Sequence, residues 1–143
     1  MIRATIDTNI LASGVIAKKP SLPLQIFEAI INGQIVLVTA ERLLAELEDV
    51  LNRDYMVRMH TLSKERVRQI VTLLTQLSVV ISVESLPSVS LDPDDDILFA
   101  CAVAGRADYI VSGDKKHVLK IGEYQGIPTI TARQLVELLN QEQ

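Results

Sequence analysis

Ile2-Arg3-Ala4-Thr5-Ile6-Asp7 is a short β-rich run that ends on a carboxylate, and Tyr109-Ile110-Val111-Ser112-Gly113-Asp114 repeats the arrangement late in the chain. Between and around them the pattern alternates. Ser21 to Asn32 reads as a helix, with Pro23 near its start and Gly33 just past its end. Ile35–Val38 reads as a second strand. Thr39 can cap a helix from Ala40 to Arg53, and Ser63 one from Lys64 to Leu77. Val79–Val83 is β-rich. Asp92-Pro93 looks like an N-cap followed by Pro at the first helical position, opening a helix that runs to Ala104 and stops at Gly105. Tyr109–Ser112 is a predicted strand, Lys115–Leu119 a short helical turn and Pro128–Ile130 a last strand. Thr131-Ala132-Arg133-Gln134 matches a capping box for a C-terminal helix through Leu139.

Strands that alternate with helices predict an α/β domain built on a parallel sheet. The Ile97–Ala104 helix is apolar nearly all round and is therefore expected to be buried. A chain of 143 residues fits one domain, 1–143, with one core. Its hydrophobic fraction is 48% but only 3% is aromatic, so Leu, Ile, Val and Ala must build that core. No apolar run approaches the roughly 18–20 residues that a membrane span needs. The N-terminus lacks the regions of a signal peptide, which leads to the expectation of a cytoplasmic protein with no membrane partner. Cys101 is the lone cysteine, which excludes an intramolecular disulfide and a Cys-based zinc site.

Parallel α/β sheets bind ligands at the carboxyl ends of their strands, at a topological switch point. Asp7 and Asp114 both stand at such ends. Either can be read plainly, Asp7 as the cap of an Asn9–Val15 segment and Asp114 as part of a Ser-Gly-Asp turn. Together they are more informative. Asp92-Pro93-Asp94-Asp95-Asp96 is the densest charge in the chain. Acids in a first helical turn gain from the macrodipole, by roughly 0.3–1 kcal/mol each. That accounts for one or two of these four; four crowded carboxylates repel, and a divalent cation relieves the repulsion. Leu43, Leu44, Leu47, Val50 and Leu51 form one helical stripe. Glu46 and Glu48 flank it on opposite sides, and spacing alone does not choose between them or exclude a solvated acid paired with Arg42.

Carboxylates are hard oxygen ligands suited to Mg²⁺ or Mn²⁺. His60 and His117 sit far apart beside basic or polar residues and are expected at the surface; Cys101, within an apolar helix, is expected in the core. The chain has no Gly-rich phosphate loop and no Gly-x-Ser-x-Gly elbow.

These residues taken in order resemble the PIN-domain family, especially VapC-like toxins. Ile6-Asp7-Thr8-Asn9 resembles the family's first-strand motif. Leu43-Leu44-Ala45-Glu46-Leu47 with Val50-Leu51 resembles its second acidic motif and selects Glu46 over Glu48. The third motif begins a helix on an Asp, with Ala five and seven residues on. Ala100 and Ala102 then select Asp95, and leave Asp92 and Asp96 as supporting or alternate ligands. Ala107-Asp108-Tyr109-Ile110-Val111-Ser112-Gly113-Asp114 resembles the fourth, with Asp114 as ligand and Ser112 as the usual hydroxyl. The resemblance covers nearly the whole length. It implies a three-layer fold with a central parallel sheet of about five strands flanked by helices.

It also implies a metal-dependent endoribonuclease whose products carry 5′-phosphate and 3′-hydroxyl ends. Asp7, Asp95 and Asp114 would hold one or two Mg²⁺ or Mn²⁺ ions. Glu46 would bind a second ion or orient the attacking water, while Thr8, Asn9 and Ser112 would support the ligands or the scissile phosphate. Setting those four acids aside leaves 14 acidic residues against 14 Lys plus Arg, so the net charge of −4 is compatible with an RNA substrate. Lys115 and Lys116 are candidates to meet the RNA backbone beside Asp114, with Arg53, Arg58, Arg66 and Arg68 as a second basic surface. Few aromatics argue against extensive base stacking. The toxin subtype implies a small antitoxin protein as partner, and a homodimer. Rival readings are an RNA-processing nuclease outside a toxin pair and a non-catalytic RNA- or protein-binding scaffold. An Asp-nucleophile phosphatase is disfavoured because position 9 is Asn where those enzymes resemble Asp-x-Asp.

Overall fold

The computed structural model describes residues 1–82, 93–115 and 118–142, the side chains of residues 93–95 apart. The chain begins with strand β1 (Ile2–Ile6) and continues through helices α1 (Thr8–Ile16) and α2 (Leu22–Ile31) to strand β2 (Ile35–Thr39). Helices α3 (Glu41–Leu51), α4 (Asp54–His60) and α5 (Lys64–Leu77) lead to strand β3 (Val79–Val80). Helix α6 (Pro93–Ala104), strand β4 (Tyr109–Val111), a 3-10 turn (Leu119–Ile121), strands β5 (Glu123–Tyr124) and β6 (Ile127–Ile130) and helix α7 (Ala132–Gln141) complete it.

The sheet order is β3-β2-β1-β4-β6-β5. Its first five strands pair in parallel, as expected, and β5 joins β6 antiparallel. The added strand comes from a tight hairpin whose two turn residues, Gln125 and Gly126, both take positive φ (49° and 82°), the geometry of a type I′ turn. The chain works outward from β1 to β2 and β3, then crosses back to β4 on the other side of β1. The β1–β4 boundary is thus the switch point at which such sheets open a crevice.

Strand alternation divides the interior into two layers. Ile2, Ala4 and Ile6 of β1, Ile35 and Leu37 of β2 and Val111 of β4 pack with residues of α1, α2, α3, α5 and α7. Val38 and Ile110 face the other way, against Ile97, Leu98, Phe99, Cys101 and Ala102 of α6. Helix α6 is buried because it packs on this face of the sheet, where Leu43 of α3 joins the same cluster. The predicted stripe on α3 is buried at all five positions, Leu43, Leu44, Leu47, Val50 and Leu51.

Several local expectations hold at atomic detail. Ser21 and Ser63 cap α2 and α5 by accepting from Leu24 and Arg66 N–H groups, and the Thr131–Gln134 capping box is complete. Others need correction. Thr39 does not cap α3; it ends β2, and Ala40 holds the cap position without a side-chain bond, so the helix is shorter than expected. The helical turn lies at Leu119–Ile121 rather than from Lys115. Helix α4 falls where no element was foreseen. Gly105 ends α6, but the left-handed residue there is Arg106 (φ 53°). The glycine is required for room: a Cβ on it would overlap Val38 Cγ1.

His60 corrects a further expectation, for it is buried. Its Nδ1 accepts from the Leu62 N–H at 2.8 Å, so its Nε2 donates to the Leu51 carbonyl at 2.7 Å. The ring thereby ties the end of α3 to the turn between α4 and α5, and two main-chain groups fix its tautomer.

Candidate functional site

Register brings the two strand-end acids together. Ile6 pairs with Val111 at the carboxyl ends of β1 and β4. One residue on, the Asp7 N–H donates to the Val111 carbonyl at 2.9 Å. The next side chain on the β4 side is Ser112, fully buried, whose Oγ donates to Asp7 Oδ2 at 3.1 Å. The same Oγ accepts from the Asp114 N–H at 3.0 Å. A serine hydroxyl has one proton and two lone pairs. Here the proton goes to the carboxylate and a lone pair to the amide, so Ser112 couples the Asp7 side chain to the backbone of Asp114.

Asp7 serves two purposes. Its Oδ1 accepts from the Asn9 N–H at 3.0 Å, and Asp7 is the N-cap of α1. The plain reading of this residue is therefore correct as far as it goes. But a cap needs one oxygen, and the second is held by Ser112. Each carboxylate oxygen carries one hydrogen bond and keeps further acceptor capacity, and the residue is half-buried. Thr8 behind it is buried, while the Asn9 side chain stands exposed at the start of α1.

Glu46 and Glu48, indistinguishable by spacing, part company in the fold. Both are half-buried, but Glu48 Oε1 meets Arg68 Nε of α5 at 3.4 Å. Roughly 160° separates the two glutamates around the helix, so Glu46 lies away from that α5 contact. Helix α3 packs against α1 as well as α5. The ion pair gives Glu48 a structural partner, and it also occupies one arginine of the second basic surface; Arg66 is bonded to Gln69.

In the acidic cluster, Asp96 is buried in the first turns of α6, 8% exposed. Asp95 belongs to the same helix, but its side chain lies outside the described residues, as does Asp92 entirely. Lys115 is exposed directly after Asp114; Lys116 and His117 lie outside the described residues. Sequence reading passed over Arg133, which stands exposed in the first turn of α7, just past the carboxyl end of β6.

Asp7, Ser112 and Asp114 supply hard oxygen donors at one sheet edge, a donor set that suits a divalent cation of the Mg²⁺ class. Among the described residues, no three Asp, Glu, His or Cys side chains converge as a metal-binding group. Of the four nominated acids, Asp7 has its carboxylate tied through Ser112 to the main chain of Asp114, and Glu46 sits on α3, which packs against α1. Cys101 takes no part: it is buried in α6, and desolvation pushes its thiol up to about 11 from 9.0, which keeps it un-ionised.

No described helix is long and apolar enough to cross a membrane. A family model described as PIN domain matches residues 3–116. That span runs from β1 past Asp114 and includes every nominated acid. Neither the curated proteins nor the solved structures contain a match to this chain.

Proposed function

The chain belongs to the PIN domain family, and from that premise we propose that it is a Mg²⁺- or Mn²⁺-dependent endoribonuclease, the toxin of a type II toxin–antitoxin pair. PIN domains are generally nucleases and typically use divalent metal ions. The observation that carries the reading is the Ser112 hydroxyl shared between Asp7 and Asp114 at the switch point of the sheet. A structural cap would leave Asp7 Oδ2 to solvent; here a buried side chain from another strand holds it.

In this reading Asp7, Asp95 and Asp114 hold the cation. When bound, it supplies Lewis acidity at the phosphate and a nucleophile at neutral pH. Ser112 keeps the Asp7 carboxylate in one orientation, which removes the entropy cost of ordering it for each turnover. The Asn9 N–H does the same from the other oxygen. Glu46 orients the attacking water or holds a second ion. Water adds to the phosphorus and the bond to the 3′ oxygen breaks, which leaves 5′-phosphate and 3′-hydroxyl ends. Asp96 of α6 supports the ligand set, and Asp92 is a further supporting acid by resemblance. The toxin reading brings a covering partner, a small antitoxin protein, and the active chain is a homodimer in the cytoplasm.

Purified protein incubated with single-stranded RNA tests the chemistry. Cleavage should require Mn²⁺ or Mg²⁺, stop with EDTA and be lost in Asp7→Asn. Undiminished cleavage by that variant would sink the assignment. Induced expression without a partner tests the toxin role: growth should stop with wild type and continue with Asp7→Asn. Cleavage in the tube with no effect on growth would instead favour RNA processing outside a toxin pair.

A further inference from the structure

We propose that Arg133, together with Lys115, anchors the backbone phosphates of a single RNA strand on the β6 side of the acids. The inference rests on the nuclease reading and gives the substrate a direction across the sheet.

Placement comes first. The Ser112 N–H donates to the carbonyl of Ile130, the last residue of β6, at 3.0 Å. Ser112 thus touches β1 through Asp7 and β6 through Ile130. Neighbouring strands lie about 4.8 Å apart, so the turn carrying Arg133 begins roughly one strand spacing from the Ser112–Lys115 segment. An extended arginine side chain covers more than that distance. Acids and cations are therefore ordered along the carboxyl edge: Asp7 after β1, Asp114 and Lys115 after β4, Arg133 after β6.

Partnership comes second. Some other arginines of the fold are occupied: Arg3 bonds the Gly105 and Arg106 carbonyls, Arg66 bonds Gln69, and Arg68 pairs with Glu48. Arg133 and Lys115 are exposed, and neither forms a hydrogen bond or ion pair with the described residues. Arg133 also defies a local rule. The first turn of a helix favours acids over cations because of the macrodipole, yet α7 carries no acid there and an arginine in its place. A residue that opposes its local preference calls for a gain elsewhere. A phosphate beside two cations supplies that gain, since guanidinium binds phosphate through paired N–H donors.

Chemistry selects the ligand. Carboxylates repel a polyanion, so the strand needs cations flanking them to stay in place. With 3% aromatic residues the chain has little to stack bases on, so the contact is to the backbone and tolerates any sequence.

The test compares wild type, Arg133→Gln, Lys115→Gln, the double variant and Arg106→Gln, an exposed arginine at the amino edge of the sheet. Fluorescence anisotropy with a labelled single-stranded RNA oligonucleotide gives affinity over a salt series, and Mn²⁺-dependent cleavage gives KM and kcat. Arg133→Gln should weaken binding roughly fivefold and lower the salt slope by about 0.7. KM should rise in step with kcat unchanged, and the double variant should lose about twice the slope. Cleavage by wild type with Arg133→Gln indistinguishable from Arg106→Gln overturns the anchor and leaves the nuclease standing. RNA binding that weakens in Arg133→Gln, from a wild type that cuts nothing, supports the anchor and overturns the nuclease. A wild type that neither cuts nor binds overturns both, and points to an acidic protein as the edge's occupant.

Discussion

Ser112 Oγ lies 3.1 Å from Asp7 Oδ2, across the boundary where the sheet changes direction. These residues are far apart in the chain, and their meeting is the closest described coupling between the two strand-end acids. Ser112→Ala leaves the Asp114 N–H without its acceptor and frees one oxygen of Asp7. Cleavage should fall roughly ten- to a hundredfold, as loss of an outer partner of a metal site does. Circular dichroism and urea unfolding should show the fold intact. Full activity in this variant would remove the hydroxyl from the mechanism.

The two tasks of Asp7 can be pulled apart. Asn is as good an N-cap as Asp, so Asp7→Asn should stay within about 0.5 kcal/mol of wild-type stability while losing cleavage. Asp7→Ala loses the cap as well and should cost about 1 kcal/mol more. Urea midpoints and RNA cleavage on the same preparations decide it. Equal stability of the two variants would mean that the Asn9 bond contributes nothing.

At the rear of the sheet, Gly105→Ala forces a methyl group into Val38. The Cys101 carbonyl lies 3.1 Å from the same Cβ and closes the other direction. Overpacking of this kind costs about 1–3 kcal/mol. The thermal midpoint should fall, with activity per folded molecule unchanged. A variant as stable as wild type would show that α6 slides freely on β2.

Cys101 sets a pH dependence. Its thiol ionises near 9.0 in the unfolded chain and about 11 in the fold, so the native state holds the proton more tightly. Its contribution is complete below pH 9.0 and is lost as pH rises towards 11. At 1.36 kcal/mol per pKa unit, the loss is on the order of 2–3 kcal/mol. Cys101→Ala should show a shallower decline over that window, measured by urea unfolding. Identical slopes would mean that the thiol is not desolvated.

Much of this was legible in the chain itself. Apolar runs ending on Asp7 and Asp114 place both acids at strand ends, and a parallel sheet collects strand ends at one edge. The five buried positions of α3 follow from spacing alone. What spacing could not supply was tertiary. The contact of Glu48 with Arg68 depends on where α5 packs. His60 looks like a surface residue among Arg58, Met59 and Thr61, and is buried because the end of α3 offers it the Leu51 carbonyl. Gly105 reads as a helix stop, yet its need is for space against a strand distant in sequence. Arg133 sits between the two partners of a capping box, Thr131 and Gln134, whose pattern says nothing of the residues between them.

Among the described residues the outermost strands, β3 and β5, are two residues long each. A row of unpaired main-chain groups at a sheet border is a template for a neighbouring molecule. Borders this short offer an incoming strand one or two rungs of a ladder, too few to nucleate fibrillar stacking, so concentrated preparations of the folded chain should stay free of β-aggregates.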